Sequence, residues 1–414
     1  MKLSSFLRLS SKTTNPQANP SVVYNLYSLP SFDDGRKCEV VHGSEIQSNK
    51  FIVPDKCILF NKLNVRFKRI WRIDNTEPNK IASTEFLPLV VDESIVDFHY
   101  CYYLLRSDRI TDYLTGQNTN TSGSHKRIDP DNFFDIEVSL PPLEDQKRIG
   151  EVLSNLDMKI DINTSLNHYL EAMAKQLYDY WFVQFDFPDA NGKPYKSSGG
   201  NMIWNEKLKR EIPEGWSSEI FSELCDINKL TLSKRDNIPT IEYLDTSSIT
   251  EGIVSETQYL DRHSAPSRAQ RKVEDLTIVY SCVRPRLLHY GILCNPPTNF
   301  IVSTGFATID AKDKAYSILL YYFLISCETT EHLGDIADTA VSSYPAINPS
   351  DIGSLRTIVP PRSLSLSFQE KVEVMIREAK RLHLENKELE KKRDYLLPLV
   401  MTGQVSVKQL NNDL

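Results

Sequence analysis

An internal repeat of about 220 residues constrains the fold of this 414-residue chain more than any other feature. The stretch "IDPDNFFDIEVSLPP" begins at Ile128, and "INPSDIGSLRTIVPP" begins 219 residues later at Ile347, with Ile, Pro and a Pro-Pro pair at the same spacing. At an offset of 220, "ILFNKLNVRF" aligns with "IVYSCVRPRL" and places Arg66 opposite Arg286. Such a repeat decides the architecture, so the sequence predicts two equivalent globular halves.

Each half continues from its Pro-Pro pair into a long helical pattern. Proline is compatible with this position, because it is tolerated at the start of a helix. After a four-residue insertion the offset becomes 223 and pairs Gln146 with Gln369. Apolar residues then follow mainly in alternating steps of three and four, which is typical of a coiled coil. We expect the two helices to pack antiparallel through these positions: Ile149, Leu153, Leu156, Ile160, Leu166, Leu170, Met173 and Leu177 in the first, and Val372, Ile376, Ala379, Leu382, Leu389 and Leu396 in the second.

Two asparagines, Asn163 and Asn386, occupy equivalent positions near the midpoints of these helices. Antiparallel helices related by a pseudo-two-fold axis bring equivalent central positions together. A buried Asn pair sets the register of a coiled coil at some cost in stability. We therefore predict that Asn163 and Asn386 face one another; the alternative is that both point to solvent.

The globular halves contain short β-rich runs such as "IEVSL" and "TIVYS" among helical stretches. This mixture predicts α+β or mixed domains. The predicted fold is therefore two pseudo-symmetric globular domains joined by two long antiparallel coiled-coil helices. The predicted boundaries are 1–142 for the first domain, 143–185 for the first helix, 186–212 for a linker rich in turn-forming residues, 213–361 for the second domain, 362–405 for the second helix and 406–414 for a C-terminal tail.

Composition restricts the possible environments and partners. The seven cysteines form no Cys-x-x-Cys pair, which indicates a reducing, cytoplasmic location. The opening segment is too short for a signal peptide, and no apolar run reaches the length of a bilayer, so we expect no membrane role. Because the net charge is −7, any nucleic-acid surface must be a local patch.

Catalytic and metal-binding motifs are absent from the sequence. It has no Walker A loop, Gly-rich dinucleotide fingerprint, HExxH or GxSxG motif, and its histidines lack metal-ligand spacing. The stretch "NPPT", from Asn295 to Thr298, is similar to the Asn-Pro-Pro-aromatic motif of amino-methyltransferases, but Thr298 lacks the aromatic ring. We expect no catalytic and no metal-ligating residue in this chain.

Together these features resemble HsdS, the specificity subunit of type I restriction-modification systems. The stretch "LPPLEDQKRIGEVLSNLDMKIDIN", from Leu140 to Asn163, is similar to the first conserved helical region of that family. "YDYWFVQFDFP" with "GKPYKSSGGNMIWNEKLKREIPEGW" resembles its connection into the second half, and "YSCVRPR" resembles a strand and turn of its target recognition domains. The resemblance covers essentially the whole chain.

The resemblance implies a non-catalytic, DNA-binding subunit of a restriction enzyme complex. Residues 1–142 and 213–361 would be target recognition domains that each read one half of a split asymmetric site in double-stranded DNA. The two helices would form a spacer and dock two methyltransferase subunits, HsdM, while HsdR subunits would translocate and cleave. This chain would bind no cofactor; S-adenosylmethionine, ATP and Mg²⁺ would belong to its partners.

Two alternatives remain open. One is a duplicated coiled-coil scaffold for protein interactions that does not read DNA sequence. The other, less favoured, is an adenine methyltransferase-type enzyme, which "NPPT" alone supports.

Candidate DNA contacts follow from the chemistry of base recognition. Arg reads guanine edges, Asn and Gln read adenine, and Lys mainly meets phosphates. The loops "TGQNTNTSGSHKR" and "TAVSSYP" both precede the Ile-x-Pro motif and therefore implicate equivalent places in the two halves. The predicted contacts are Arg66, Lys68, Arg69, Gln117, Asn118, Asn120, Lys126 and Arg127 in the first domain, and Arg262, Arg268, Arg271, Arg284, Arg286, Ser342, Ser343 and Tyr344 in the second.

Overall fold

The computed structural model describes residues 1–116, 127–233, 235–339 and 345–404. The chain forms two compact units: unit 1 comprises Met1–Thr164 with Leu384–Leu414, and unit 2 comprises Ser165–His383. Each unit therefore combines one globular part with part of each long helix.

The helices and strands that begin in unit 1 precede residue 165. They are β1 (Leu7–Leu9), β2 (Thr13–Thr14), β3 (Val23–Tyr27), α1 (Leu29–Asp33), β4 (Glu39–His42), β5 (Lys50–Ile52), β6 (Lys56–Asn61), β7 (Ile70–Asp74), β8 (Lys80–Ala82), β9 (Phe86–Val91), α2 (Phe98–Arg106), α3 (Asp108–Gly116), α4 (Pro130–Phe134) and the long helix α5 (Leu143–Tyr178).

The later elements follow a π-helical turn at Asp179–Val183. They are β10 (Met202–Asn205), β11 (Arg210–Pro213), β12 (Ser217–Ile220), α6 (Phe221–Leu224), β13 (Cys225–Ile227), β14 (Thr240–Leu244), β15 (Ile249–Thr250), β16 (Ile253–Val254), β17 (Gln258–Asp261), β18 (Ala269–Lys272), β19 (Ile278–Ser281), β20 (Tyr290–Ile292), β21 (Phe300–Ser303), β22 (Phe306–Ala311), α7 (Ser317–Leu324), α8 (Cys327–Thr339), α9 (Pro349–Ser354), β23 (Arg356–Val359) and the long helix α10 (Arg362–Met401).

The repeat extends to the order of the strands. One sheet of unit 1 has the order β1-β9-β6-β7, and one sheet of unit 2 has the equivalent order β13-β22-β19-β20. In the other sheets, β5-β8-β3-β4 corresponds to β18-β21-β14-β17. Each of these contains a parallel pair, β3 with β8 and β14 with β21. The predicted mixed fold with two equivalent halves and long helices is confirmed.

The central strands β6 and β19 are buried on both faces. Successive side chains of a strand point to opposite faces, so Ile58 and Phe60 join the core beneath the helices of unit 1, whereas Leu59 joins the core on the other face. In unit 2, Tyr280 and Val279 divide in the same way. This double burial explains why both strands are apolar almost throughout.

The predicted linker, residues 186–212, includes a strand and packs against the core of unit 2. It contains β10, which pairs antiparallel with β11 as a hairpin. The ring of Phe187 stacks on those of Tyr195 and Trp216, with centroids 4.7 and 5.1 Å apart. These aromatic contacts anchor the segment to the core of unit 2.

The two long helices pack antiparallel within unit 1. Glu385 pairs with Lys159 at 3.5 Å, and Arg393, further along α10, pairs with Asp157, earlier on α5. Within unit 2, Phe368 of α10 packs edge-on against Phe182, with ring centroids 4.8 Å apart. The predicted antiparallel arrangement of the helices is confirmed.

The prediction that Leu166 and Met173 lie on the packed face of α5 is wrong. Leu166 and Met173 are 45% and 52% exposed. Asn163 is buried and occupies the packed face itself, so the helical period continues through Asn167 to Ala174, which is also buried. A sequence pattern built only on apolar residues skips the asparagines and therefore shifts its phase.

Equivalent glutamines join each long helix to its globular part. The side-chain oxygen of Gln146 accepts a hydrogen bond from the backbone N–H of Asp97, at the start of α2, and that of Gln369 accepts one from Ile318, at the start of α7; both bonds measure 3.0 Å. Both glutamines are buried. One of the orphan N–H groups that begin each of these helices is thus satisfied by a long helix.

A buried ionic cluster centred on Asp157 fastens α10 to α5 and α2. The carboxylate accepts hydrogen bonds from Tyr103 (2.6 Å) and Arg393 (2.8 Å), and Arg106 lies 3.4 Å away. Burial favours the neutral acid, but these hydrogen bonds and the two positive charges outweigh it and lower the pKa of Asp157. The carboxylate is therefore charged and compensated.

We predict that Asp157→Ala lowers the free energy of unfolding by about 3 kcal/mol, because it removes the carboxylate partner of the largely buried Arg106 and one of the two carboxylates that pair with Arg393. Chemical denaturation of the purified chain measures this change. The matched control is Lys159→Ala, which removes a half-exposed pair between the same helices and should cost less than about 1 kcal/mol. Equal losses for the two variants would contradict a special role of the cluster.

Candidate DNA-recognition surfaces

A short 3₁₀ turn follows the central strand in each unit. It spans Val65–Phe67 after β6 and Pro285–Leu287 after β19. We call residues 64–68 and 284–288 the recognition turns. The flanking residues all adopt left-handed backbone conformations, with φ of 53° at Asn64, 47° at Lys68, 48° at Arg284 and 57° at Leu288. None of the four is glycine, and such strain concentrates at functional sites.

Both predicted recognition loops end beside these turns. In unit 1, Arg127 forms a β-bridge with Leu63, and the Ile128 N–H donates to the Lys62 carbonyl at 3.0 Å. In unit 2, Ala346 forms a bridge with Val283, and the Arg284 N–H donates to the Pro345 carbonyl at 2.9 Å. Seven of the eight predicted contacts within the loops lie outside the described residues and stay predictions: Gln117, Asn118, Asn120, Lys126, Ser342, Ser343 and Tyr344.

Basic side chains on the first turn and directly after it pair with carboxylates. Arg69 donates two hydrogen bonds of 2.7 Å to Asp33, and the Arg69 guanidinium lowers the pKa of that carboxyl. Lys68 pairs with Asp108 of α3. At the end of the neighbouring loop, Arg127 donates two hydrogen bonds of 2.6 and 3.0 Å to the Glu85 carboxylate. The Arg127 side chain nevertheless stays exposed.

The second turn repeats this arrangement with different residues. Arg286 pairs with Asp335 at 2.6 Å and with Asp338 at 3.3 Å, both on α8. Its side chain lies against Gly334, where an added Cβ atom would come within 2.7 Å of the guanidinium carbon. A larger residue at position 334 would force this flexible side chain to shift, so glycine leaves room for the conformation of Arg286 that pairs with α8.

The remaining predicted arginines divide between the turns and the other sheet. Arg66 and Arg284 are exposed on the turns. Arg268 is exposed before β18, whereas Arg271 on β18 donates to the Thr231 hydroxyl at 3.4 Å. Arg262 donates to the backbone carbonyls of Ser233 and Asp236 and thereby closes a loop of its own domain. Arg262, Arg268 and Arg271 therefore lie on or beside strands β17 and β18 and not on the recognition turn itself.

Sequence reasoning missed two exposed apolar side chains at the turns. Phe67 and Leu287 are 52% and 49% exposed, and each is the last residue of its 3₁₀ turn. The repeat could have identified them, because they are 220 residues apart, as Arg66 and Arg286 are.

The two helix asparagines are both buried. Asn163 is fully buried and Asn386 is 8% exposed, so the alternative that both point to solvent is wrong. The Asn386 amide donates to the Ile160 carbonyl at 3.3 Å and to the Thr164 hydroxyl at 3.1 Å. Among the described residues, neither polar atom of the Asn163 side chain has a hydrogen-bond partner. Their direct contact and their role in register stay predictions.

The stretch "NPPT" connects strands β20 and β21. Asn295 has a left-handed backbone with φ of 47°, and its N–H donates to Asp275 at 2.7 Å. Asp275 in turn pairs with Arg377 of α10. This network therefore links the turn, which belongs to the globular part of unit 2, to helix α10.

Two further findings concern the described ranges alone. No cluster of three or more His, Cys, Asp or Glu side chains there could hold a metal ion. No helix in those ranges is both long and apolar enough to cross a membrane.

A solved structure shares the architecture of the chain. The S subunit of the type I restriction-modification system of M. genitalium superposes with a TM-score of 0.63, at 14% identity, over 97% of this chain and 95% of that one. The fold is therefore that of a type I S subunit.

Sequence comparisons agree with the fold. The family model described as "Type I restriction modification DNA specificity domain" matches residues 2–172. The HindI specificity subunit of Haemophilus influenzae is 22% identical, covering 89% of this chain and 91% of that protein. The MjaIX specificity subunit of Methanocaldococcus jannaschii is 21% identical, covering 80% and 74%. The chain is therefore similar to specificity subunits of type I restriction-modification enzymes over most of its length.

We predict that Asp33→Asn tightens binding to a non-specific duplex by up to about fivefold at low salt, because it releases Arg69 from a partly exposed ion pair. The salt dependence of the affinity should steepen by about one phosphate contact. Fluorescence anisotropy across a salt series measures both quantities. The matched control, Glu206→Gln, removes the same charge and releases Lys209 on the β10–β11 hairpin. Equal shifts would show that net charge alone is responsible.

Proposed function

We propose that the chain reads a bipartite, asymmetric site in double-stranded DNA, one half through residues 1–142 and the other through residues 213–361. The observation that carries this proposal is the duplicated recognition turn. The same strained backbone, the same neighbouring loop end and different side chains occur in both units. An equivalent scaffold with divergent side chains suits two readers of different base sequences.

Base reading in this proposal depends on the exposed arginines and the adjoining loops. Arg66 and Arg284 project from the turns and can reach guanine edges in the major groove, while the Asn and Gln side chains of the first loop suit adenine. Four further basic side chains form ion pairs with partly exposed carboxylates: Lys68, Arg69, Arg127 and Arg286. Such pairs contribute little stability, so phosphates or bases can displace the carboxylates.

The long helices set the spacing between the two half-sites in this proposal. Helix α5 has 36 residues and α10 has 40, which gives lengths of about 54 and 60 Å at 1.5 Å per residue. A base pair rises about 3.4 Å, so such lengths correspond to about 16 and about 18 base pairs. Reading from one face of the duplex favours a separation near one helical turn.

We further propose that the helices dock two HsdM methyltransferase subunits and that HsdR subunits join this complex. Two equivalent helices offer two equivalent docking surfaces. On the unit 2 part of α5, Tyr169 and Met173 are exposed, and Met173 lines an open groove with Leu177, Tyr180 and Met375. S-adenosylmethionine would then be bound by HsdM, and ATP and Mg²⁺ by the partner subunits. Turnover of S-adenosylmethionine by the isolated chain would contradict this division of labour.

The proposal predicts that replacing residues 1–140 with those of another family member changes one half of the recognised site and leaves the spacer unchanged. The positions methylated in genomic DNA by the assembled complex give the measurement. Exchanging residues 213–358 is the reciprocal control and should change only the other half. A simultaneous change in both halves would refute two independent readers, and absence of any sequence-selective methylation would favour the interaction scaffold.

Docking of the methyltransferase predicts that Tyr169→Asp combined with Met173→Asp weakens its binding at least about tenfold, because carboxylates placed in an apolar interface lose hydration. Titration of labelled chain with the purified methyltransferase measures this affinity. Val40→Asp, at an exposed position on β4, is the control and should leave the affinity unchanged. Unchanged affinity of the double variant would place the partner on another surface.

A further inference from the structure

We propose that Phe67 and Leu287 are apolar wedges that insert beside a base step, each in the half-site read by its own domain. This inference rests on the proposed DNA-reading function and assigns it two specific residues. Insertion of Phe or Leu between base pairs partly unstacks them and kinks the duplex. The step that each domain deforms would then contribute to recognition without a hydrogen bond to a base edge.

The position of the two side chains carries most of the argument. A single exposed apolar residue is common on protein surfaces and needs no explanation. Here, large apolar side chains with about half of their surface exposed occur at the same place in both repeats, immediately after the predicted DNA contacts Arg66 and Arg286. The chemical type of the residue is retained while its identity differs, as expected for a shared wedge in readers of different sites.

The backbone presents both side chains in the same way. Each wedge residue ends its 3₁₀ turn and is followed by a left-handed residue, Lys68 or Leu288, whose N–H donates to the first residue of that turn at 3.0 Å. A left-handed residue stands before each turn as well. The turn is therefore short, closed by a hydrogen bond and fixed at both ends, which keeps the tip from folding back onto the domain.

Charge next to the wedges matches a polyanion. The guanidinium carbons of Arg66 and Arg69 each lie 4.8 Å from the centroid of the Phe67 ring. Cation–π contacts of this kind orient an aromatic ring and keep positive charge beside it. In unit 2, Arg284 and Arg286 precede Leu287 on the same turn. An apolar tip within a basic surround fits a base step between two phosphate chains better than it fits an apolar protein groove.

The test uses the full chain assembled with its methyltransferase and a duplex carrying the site that this complex methylates, identified by sequencing methylated DNA. 2-Aminopurine placed at successive steps of one half-site reports unstacking as a rise in fluorescence. The wild-type complex should give a rise at one step in each half-site. Phe67→Ala should abolish it in the first domain's half-site alone, and Leu287→Ala in the other alone.

Affinity provides a second measurement. Each alanine variant should weaken binding to the cognate duplex by about tenfold, within the range for loss of one stacked base contact, and leave the salt dependence unchanged because no charge is removed. Phe67→Leu should retain most of the affinity, since either side chain can act as a wedge. Ile52→Ala and Ile253→Ala, at comparably exposed apolar positions of the two domains, are the controls and should bind as the wild type does.

The outcomes separate this inference from the function on which it rests. Selective methylation together with unchanged fluorescence and affinity in both alanine variants would overturn the wedges and leave DNA reading intact. Absence of any sequence-selective binding by the wild-type complex would overturn both. Weaker assembly of Phe67→Ala with the methyltransferase in the absence of DNA would assign the turn to a protein interface and overturn the wedge.

Discussion

The seating of each spacer helix on its globular part depends on one buried side-chain amide. Gln146 and Gln369 accept hydrogen bonds from the first turns of equivalent helices, α2 and α7. In unit 1 the approach is so close that Gly150 cannot carry a Cβ atom, which would lie 2.8 Å from the Tyr100 nitrogen. Because an unpaired buried amide is costly, the contact permits one orientation of helix against domain, and the position of each recognition turn relative to its helix follows from it.

Duplication allows this geometry to be conserved within the chain while the surfaces diverge. The two units share strand order, the parallel pair and the left-handed residues of the turns. They differ in the partners of the basic residues. In unit 1, Asp33 pairs with Arg69 and Asp108 pairs with Lys68. In unit 2, Arg286 contacts one face of α8, which carries Gly334, Asp335 and Asp338. The scaffold repeats, and the chemistry that meets a ligand does not.

Repetition made much of the fold predictable from sequence. Matching offsets identified Gln146 with Gln369 and Arg66 with Arg286, because a repeat aligns residues with equivalent tasks. The phase of α5 after Asn163 was missed, since the packed face there includes asparagines that an apolar pattern ignores.

The carboxylate partners of the basic residues could not be predicted. Asp33 and Arg69 are 36 residues apart, and Arg286 and Asp335 are 49 apart, so only the folded chain brings them together. Arg262 shows the same limit, because its sequence position beside other arginines gave no sign that it binds backbone carbonyls of its own domain.

The ion pairs at the turns have a kinetic consequence. A protein that must find one site among a vast excess of other sequences is slowed by every basic residue that binds phosphates indiscriminately. Side chains already satisfied by Asp33, Glu85 or Asp335 add little to such encounters. They become available when a fitting sequence displaces the carboxylate, so the acidic residues around each turn would shorten residence on wrong DNA and make the search for the right site faster.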